Sequence, residues 1–233
     1  LNPSSAASDV YKRQYQTLPF FASDPNVGLV QGRWGHLNRH DSLLTSAQAV
    51  GIDGHFVIEQ SARSWGGLYM NFNGSAGIWR KQAIFDSGNW EGDTLTEDMD
   101  LSYRAQLAGW KMKFCFDVIV PAEIPADINA FKSQQYRWAK GSIQTAIKIL
   151  PRIFKSKISF RIKLQSFMHM THYCIHPLIL GTAILSFPIL MWAPYKIPDW
   201  LFYILALLVV VSALAPSVLY VICLLYTSDA ADD

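Results

Sequence analysis

"TLTEDMDLSYRAQLAGWKMKFCFDVIV", Thr94 to Val120, sets a helical period beside a strand-like run, and that juxtaposition decides the fold. Thr96 carries a hydroxyl suited to an N-cap, Glu97 and Asp98 fall in the first turn it would open, and Leu101, Arg104 and Leu107 follow at helical spacing. Past Gly109, Met112 to Val120 is a short apolar run ended by Pro121. The same alternation stands upstream, where "GLVQGRW" (Gly28–Trp34) reads as a strand and Leu43, Leu44, Ala47 and Val50 have helical spacing from about Asp41 onward. Strands alternating with helices predict an α/β layered domain. No internal repeat or low-complexity segment interrupts it.

The crowding of Asp93, Glu97, Asp98 and Asp100 raises a chemical question. A first-turn carboxylate sits at the positive end of the helix dipole, which favours its ionised form. At the rim of a cleft such a carboxylate can take a proton from a hydroxyl, although plain capping would use the same residues. Downstream, "QQYRW" (Gln134–Trp138) lies on a helix predicted to run through Ile149, with Gln134, Arg137 and Trp138 on one face. A guanidinium suits phosphate and an indole can stack on a sugar ring, while an interfacial helix would also carry Arg and Trp. "FNGSAG" (Phe72–Gly77) is a loop whose small residues let backbone approach a ligand closely.

Composition adds a membrane expectation. Of 233 residues 51% are hydrophobic and 16% charged, and the apolar excess is concentrated after about Phe167. Two runs, Phe167–Trp192 and Leu201–Ile222, reach membrane-spanning length, and "APYKIPDW" (Ala193–Trp200) between them reads as an interfacial turn. Pro177, Pro188 and Pro216 are tolerable inside membrane helices. Lys148, Arg152, Lys155, Lys157, Arg161 and Lys163 precede these runs, which by the positive-inside rule makes that flank cytoplasmic. A net charge of +2 gives no reason to expect a nucleic-acid partner. His169, His172 and His176 share a helical face, but no carboxylate stands near to orient them as metal ligands, and packing accounts for them better. Cys115 and Cys174 form no disulfide framework or zinc spacing.

The ends stand apart. "SSAASDVYKRQ" (Ser4–Gln14) and "CLLYTSDAADD" (Cys223–Asp233) can be translated from the two strands of one DNA, which resembles the transposase adapter used to prepare sequencing libraries. Residues 1–14 and 223–233 are therefore expected to be adapter-derived, and the natural insert to be a fragment at both ends. The remainder divides into a soluble part (15–150), a basic juxtamembrane segment (151–166) and two expected transmembrane helices (167–222).

The order FxGS, then TED, then QxxRW, then membrane helices resembles the membrane-bound family 2 glycosyltransferases of the cellulose-synthase-like type, closely over Gly28 to Pro151. That resemblance implies the C-terminal half of a GT-A-like domain and an inverting transfer from a nucleotide-sugar donor, UDP- or GDP-hexose, to a β-linked glycan. A lipid acceptor such as diacylglycerol or ceramide is the alternative, and a non-enzymatic membrane module is the reading of another class. Carried over, the resemblance makes Asp98 the general base, with Glu97 shaping the site. It gives Gln134 and Arg137 the donor diphosphate and Trp138 the acceptor platform. Asn73, Gly74 and Ser75 would border the acceptor terminus, with Gln31 on the same cleft. It also implies a divalent cation, Mg2+ or Mn2+, held by a DxD motif upstream. No such motif appears here, and Asp24 and Asp53 do not form one. The expected location is a multi-pass membrane protein with its catalytic part cytoplasmic.

Overall fold

In the computed structural model, which describes residues 5–192 and 198–229, the sheet is built around one strand. After helix α1 (Ser5–Ser23), strand β1 (Val27–His36) lies between β2 (Gly77–Trp79), antiparallel to it, and β3 (Lys111–Ala122), parallel to it. The connection from β1 to β2 carries α2 (Leu43–Asp53), a π-helical segment Gly54–Gln60 and α3 (Ser61–Trp65). From β2 to β3 the chain runs through α4 (Lys81–Asp86) and α5 (Glu97–Leu107). This parallel pair joined by helices is the predicted α/β layering. Ser42 caps α2, close to the expected start near Asp41: its hydroxyl accepts from Thr45 N–H at 3.1 Å and Thr45 answers on the Ser42 N–H at 2.9 Å.

β1 reads as an apolar run because it is central, with Val27, Leu29 and Val30 all buried. Its register against β3 slips between Gln31, opposite Phe114, and Arg33, opposite Ile119. Gly32 permits this irregularity, since a Cβ there would lie 2.5 Å from the Val118 carbonyl oxygen.

Helix α5 is pressed between two cores. Leu101 and Ala105 are buried, and Ala105 packs with Leu29, Met70, Phe72 and Met112, while Met99 and Tyr103 meet Ala146, Ile149, Ile153 and Met170. The last group comes from α6 (Ile128–Lys155) and α7 (Phe160–Thr171). Thr96 does precede α5, but its side chain makes no capping bond and meets Thr145 Oγ1 on α6 at 3.1 Å, so the expected hydroxyl cap is replaced by an interhelical contact. Helix α6 also outruns its expected end at Ile149, passing through Pro151 to Lys155. Ile149 and Ile153 straddle that proline and are both fully buried, which offsets the lost helix bond. The expected juxtamembrane segment 151–166 is thus the end of α6 and the start of α7.

The apolar run expected to begin at Phe167 is divided between two elements. Residues 167–171 complete α7, whose Ser166, His169 and Met170 are buried. The Ser142 hydroxyl of α6 donates to Met170 O at 2.7 Å, and Tyr103 Oη lies 2.7 Å from His169 Nδ1. His169 is accordingly a packing residue. Residues from His172 onward form a separate compact unit with a 3-10 turn (His172–Cys174), α8 (Ile175–Trp192) and α9 (Asp199–Asp229). Pro177 stands in the first turn of α8, where its missing N–H has no intrahelical partner to lose. Among the described residues no helix is long and apolar enough to cross a membrane, and most of the expected turn, residues 193–197, lies outside them.

Candidate active site

The loop Asn71–Ala76 meets the first turn of α5, and the meeting is fixed by one hydroxyl. Ser102 Oγ donates to the Asp98 carbonyl at 2.5 Å and accepts from the Phe72 N–H at 2.8 Å. Gly74 follows with φ +74°, a conformation costly for other residues, and a Cβ there would lie 3.2 Å from Asp98 Oδ2. The Asp98 carboxylate therefore rests directly against the Asn73–Ser75 backbone. Behind the loop Gln31, fully buried, donates to Ser75 O at 3.0 Å and to Gly32 O at 2.8 Å and accepts from the Asn73 N–H at 3.3 Å. Gln31 thus holds the loop from behind, and the β1 irregularity at Gly32 lies beside it.

The acids separate by environment. Asp100 is fully buried and bound to Arg104, whose Nε donates at 2.8 Å, and to Lys148 Nζ at 3.1 Å, so it is structural. Arg104 in turn donates to Ser87 O. Glu97 is exposed and Asp98 half-buried. Burial pushes the Asp98 carboxyl up to about 6, the Met99 N–H bonded to Oδ1 at 2.7 Å opposes this, and the Glu97 charge adds to it. The dipole at the helix start, which by itself favours the ionised form, is outweighed by desolvation.

Helix α6 presents a continuous stripe to this turn. A Cβ on Gly141 would sit 2.6 Å from Thr96 Cγ2, Gln144 Oε1 accepts from the Leu95 N–H at 3.0 Å, and Thr145 meets Thr96. Gln134 and Trp138 continue that stripe toward the helix N-terminus, with Arg137 beside them. Arg137 is exposed, Gln134 and Trp138 half-buried, and Gln134 Oε1 is a buried acceptor without a partner among the described residues. None of the three makes a hydrogen bond to Asp98 or the loop among the described residues. They share its neighbourhood through α6.

Glu91, Asp93 and Asp100 bring three carboxylate oxygens within 4.8 Å of one another, which gives the geometry of a cation site. Lys148 Nζ already lies 2.5, 2.8 and 3.1 Å from one oxygen of each. Burial works against the lysine's charge, but its hydrogen bonds to Asp93, Glu91 and Asp100 raise its pKa, and the Lys148 hydrogen bond lowers those of Glu91 and Asp93. This cluster is a charge network centred on an ammonium and does not fit a divalent metal. Lys148 correspondingly leaves the basic flank to which the sequence assigns it.

A second network escapes sequence reading. His55 Nδ1 is 3.1 Å from Glu59 Oε2, His55 Nε2 is 3.1 Å from Asn73 Nδ2, and Gln60 Nε2 donates to Asn73 Oδ1 at 2.9 Å. The signal available was "HFVIEQ", His55 to Gln60, in which His55 and Glu59 stand at the ordinary i, i+4 spacing and Gln60 joins their side through the π-helical backbone.

The profile of glycosyl transferase family group 2 matches residues 15–226. The chain is 35% identical over 196 residues to glucomannan 4-beta-mannosyltransferase 2 of Arabidopsis thaliana, covering 79% of this chain and 36% of that one. It is 36% identical over 190 residues to probable glucomannan 4-beta-mannosyltransferase 11 of Oryza sativa subsp. japonica, covering 79% and 33%. The chain spans about a third of the length of the curated relatives it matches.

Proposed function

This chain belongs to glycosyl transferase family group 2, in its cellulose-synthase-like branch, and from that premise we propose that it carries the acceptor side of an inverting hexosyltransferase that extends a β-linked glycan. The observation that carries this reading is the Asp98 carboxylate resting against the Asn73–Ser75 loop. In the reaction an acceptor hydroxyl oxygen bonds to the anomeric carbon while the bond from that carbon to the diphosphate oxygen breaks. The electron pair leaves with the nucleoside diphosphate, the hydroxyl proton passes to Asp98, and the configuration inverts. Glu97 shapes the site beside Asp98. Asn73, Gly74 and Ser75 border the acceptor terminus, Trp138 offers it a stacking face, and Gln134 and Arg137 hold the donor's diphosphate. Members of this family generally use a divalent cation, which neutralises charge on the leaving diphosphate. The resemblance assigns that cation to a DxD motif, and the acidic cluster of Glu91, Asp93 and Asp100 is here bridged by Lys148.

The similarity to glucomannan mannosyltransferases favours a β-mannosyl or β-glucosyl product from a GDP- or UDP-hexose. The exposed apolar residues Leu178, Ile179, Leu180 and Ile184 on α8 and Leu207, Leu208 and Val209 on α9 favour a bilayer around the second unit. Arg152, Lys155, Lys157, Arg161 and Lys163 favour a cytoplasmic face for the catalytic part.

The test uses membranes carrying the complete protein that contains this chain, supplied with labelled GDP-mannose or UDP-glucose. Linkage analysis of the product should show a β-linked polymer, and a lipid-soluble monoglycoside would replace the glycan acceptor with a lipid one. Asp98→Asn should lower transfer by about 10² to 10⁴-fold with donor binding retained. Wild-type turnover in that variant would remove Asp98 from the role of base.

A further inference from the structure

The Asn73 side chain is held from both ends. Gln60 is fully buried, and its Nε2 donates both to Asn71 O at 2.9 Å and to Asn73 Oδ1 at 2.9 Å, so the Asn73 oxygen must face Gln60. Its Nδ2 then faces His55 Nε2 at 3.1 Å. For His55 to accept there, its proton must sit on Nδ1, which lies 3.1 Å from Glu59 Oε2 and donates to it. Glu59 is itself fixed by Arg63 NH2 at 2.9 Å. Each partner in the series Arg63, Glu59, His55, Asn73 has one direction of donation that satisfies its neighbours. One Nδ2 hydrogen of Asn73 is used on His55, and the second remains.

We propose that His55, oriented by Glu59, is a positioning residue that fixes the Asn73 amide so that it offers the glycan acceptor a hydrogen-bond donor beside Asp98. This rests on the assignment of the Asn73–Ser75 loop to the acceptor. Asn73 is half-buried next to exposed Gly74 and Ser75, so its amide borders the cleft. An amide free to rotate would present oxygen or nitrogen equally. The fixed one discriminates, donating to the oxygen of a sugar hydroxyl, and this orients the neighbouring hydroxyl toward the Asp98 carboxylate. The π-helical turn brings Gln60 to Asn73 along with His55, while Glu59 reaches His55 at the ordinary i, i+4 spacing.

Two conservative substitutions separate the contacts. His55→Asn keeps a group near the Nδ1 position, facing Glu59, and loses the acceptor for Asn73. His55→Gln keeps an amide oxygen near the Nε2 position. In the complete enzyme, with GDP-mannose and a β-1,4-linked manno-oligosaccharide as probes, His55→Asn should raise the KM for the oligosaccharide about tenfold, the cost of one lost hydrogen bond. The KM for GDP-mannose should be unchanged, and His55→Gln should stay within about twofold of wild type. An unchanged oligosaccharide KM in His55→Asn, an equal loss in both variants, or parallel losses for donor and acceptor would each overturn the positioning role. Asp98→Asn assayed in parallel separates the two levels. If it is inactive while both His55 variants behave as wild type, only this inference falls, and if it turns over normally the acceptor-site assignment falls with it.

Discussion

At Asp98 two physical effects oppose each other, and the larger one sets the pH at which the proposed base would work. The helix dipole and the Met99 N–H favour the carboxylate, whereas burial and the Glu97 charge favour the acid, and the sum stands at about 6. A base must be unprotonated to accept a proton, so a pKa above the usual carboxylate range means activity is lost as pH falls through about 6 and is full above it. The profile of kcat/KM against pH should show that single acid limb. Glu97→Gln removes the neighbouring charge and should move the limb to lower pH, since Glu97 raises the Asp98 value. A limb that stays in place, or moves up, would show that Glu97 does not act on Asp98 electrostatically. The TED triplet, "FNGS" and "QxxRW" were legible in the sequence because their spacing survives without coordinates. The environments of Asp98 and Asp100 were not, because only packing makes one half-buried beside glycine and the other fully buried beside Arg104 and Lys148.

Among the elements, α6 is the one on which the proposed site depends most, because its stripe from Gln134 and Trp138, the residues proposed to meet ligand, runs on through Gly141, Thr145 and Lys148, which dock it on the turn before α5. β1, β3, α2 and α5 could be read from periodicity. The passage of α6 through Pro151 could not, since the compensation comes from buried Ile149 and Ile153, and neither could the π-helical turn, whose period matches no common template. Gly141 tests the docking. Alanine there gains up to about 1 kcal/mol of helix propensity, but overpacking costs about 1–3 kcal/mol. Its Cβ would lie 2.9 Å from the Thr96 backbone nitrogen, a clash no rotamer relieves, so the helix must move away from the TED turn. Gly141→Ala should therefore lower the Tm and reduce transfer. Gly51→Ala in α2, where a Cβ meets nothing within 4 Å, should leave both unchanged or raise the Tm. Equal behaviour of the two variants would mean that α6 has room to spare at Thr96.

For the molecule as a whole, the two units present different surfaces to whatever surrounds them. The first has two buried cores and, near its end, a face with exposed Phe160, Leu164, Phe167 and Met168 among Arg152, Lys155, Arg161 and Lys163. The second exposes apolar side chains along α8 and α9 with no basic residue in either helix's last turn. The apolar excess is legible in the sequence, whereas the end of α7 at Thr171 is not, because His169 and Met170 are buried only through their contacts with α5 and α6. An interfacial helix binds partly through charge, which salt screens, whereas insertion of uncharged apolar helices is insensitive to salt. The whole chain should therefore stay with membranes through high-salt and alkaline carbonate washes. A variant ending at Thr171 retains the unit that holds both cores and should bind vesicles of anionic lipid at low salt and leave them at about 1 M, where the Debye length is about 3 Å. Co-sedimentation at the two salt concentrations checks this. Extraction of the whole chain by salt alone would show that α8 and α9 lie on the surface rather than in the bilayer. Retention of the shortened chain at high salt would assign the attachment to the apolar side chains of α7 instead of its basic ones.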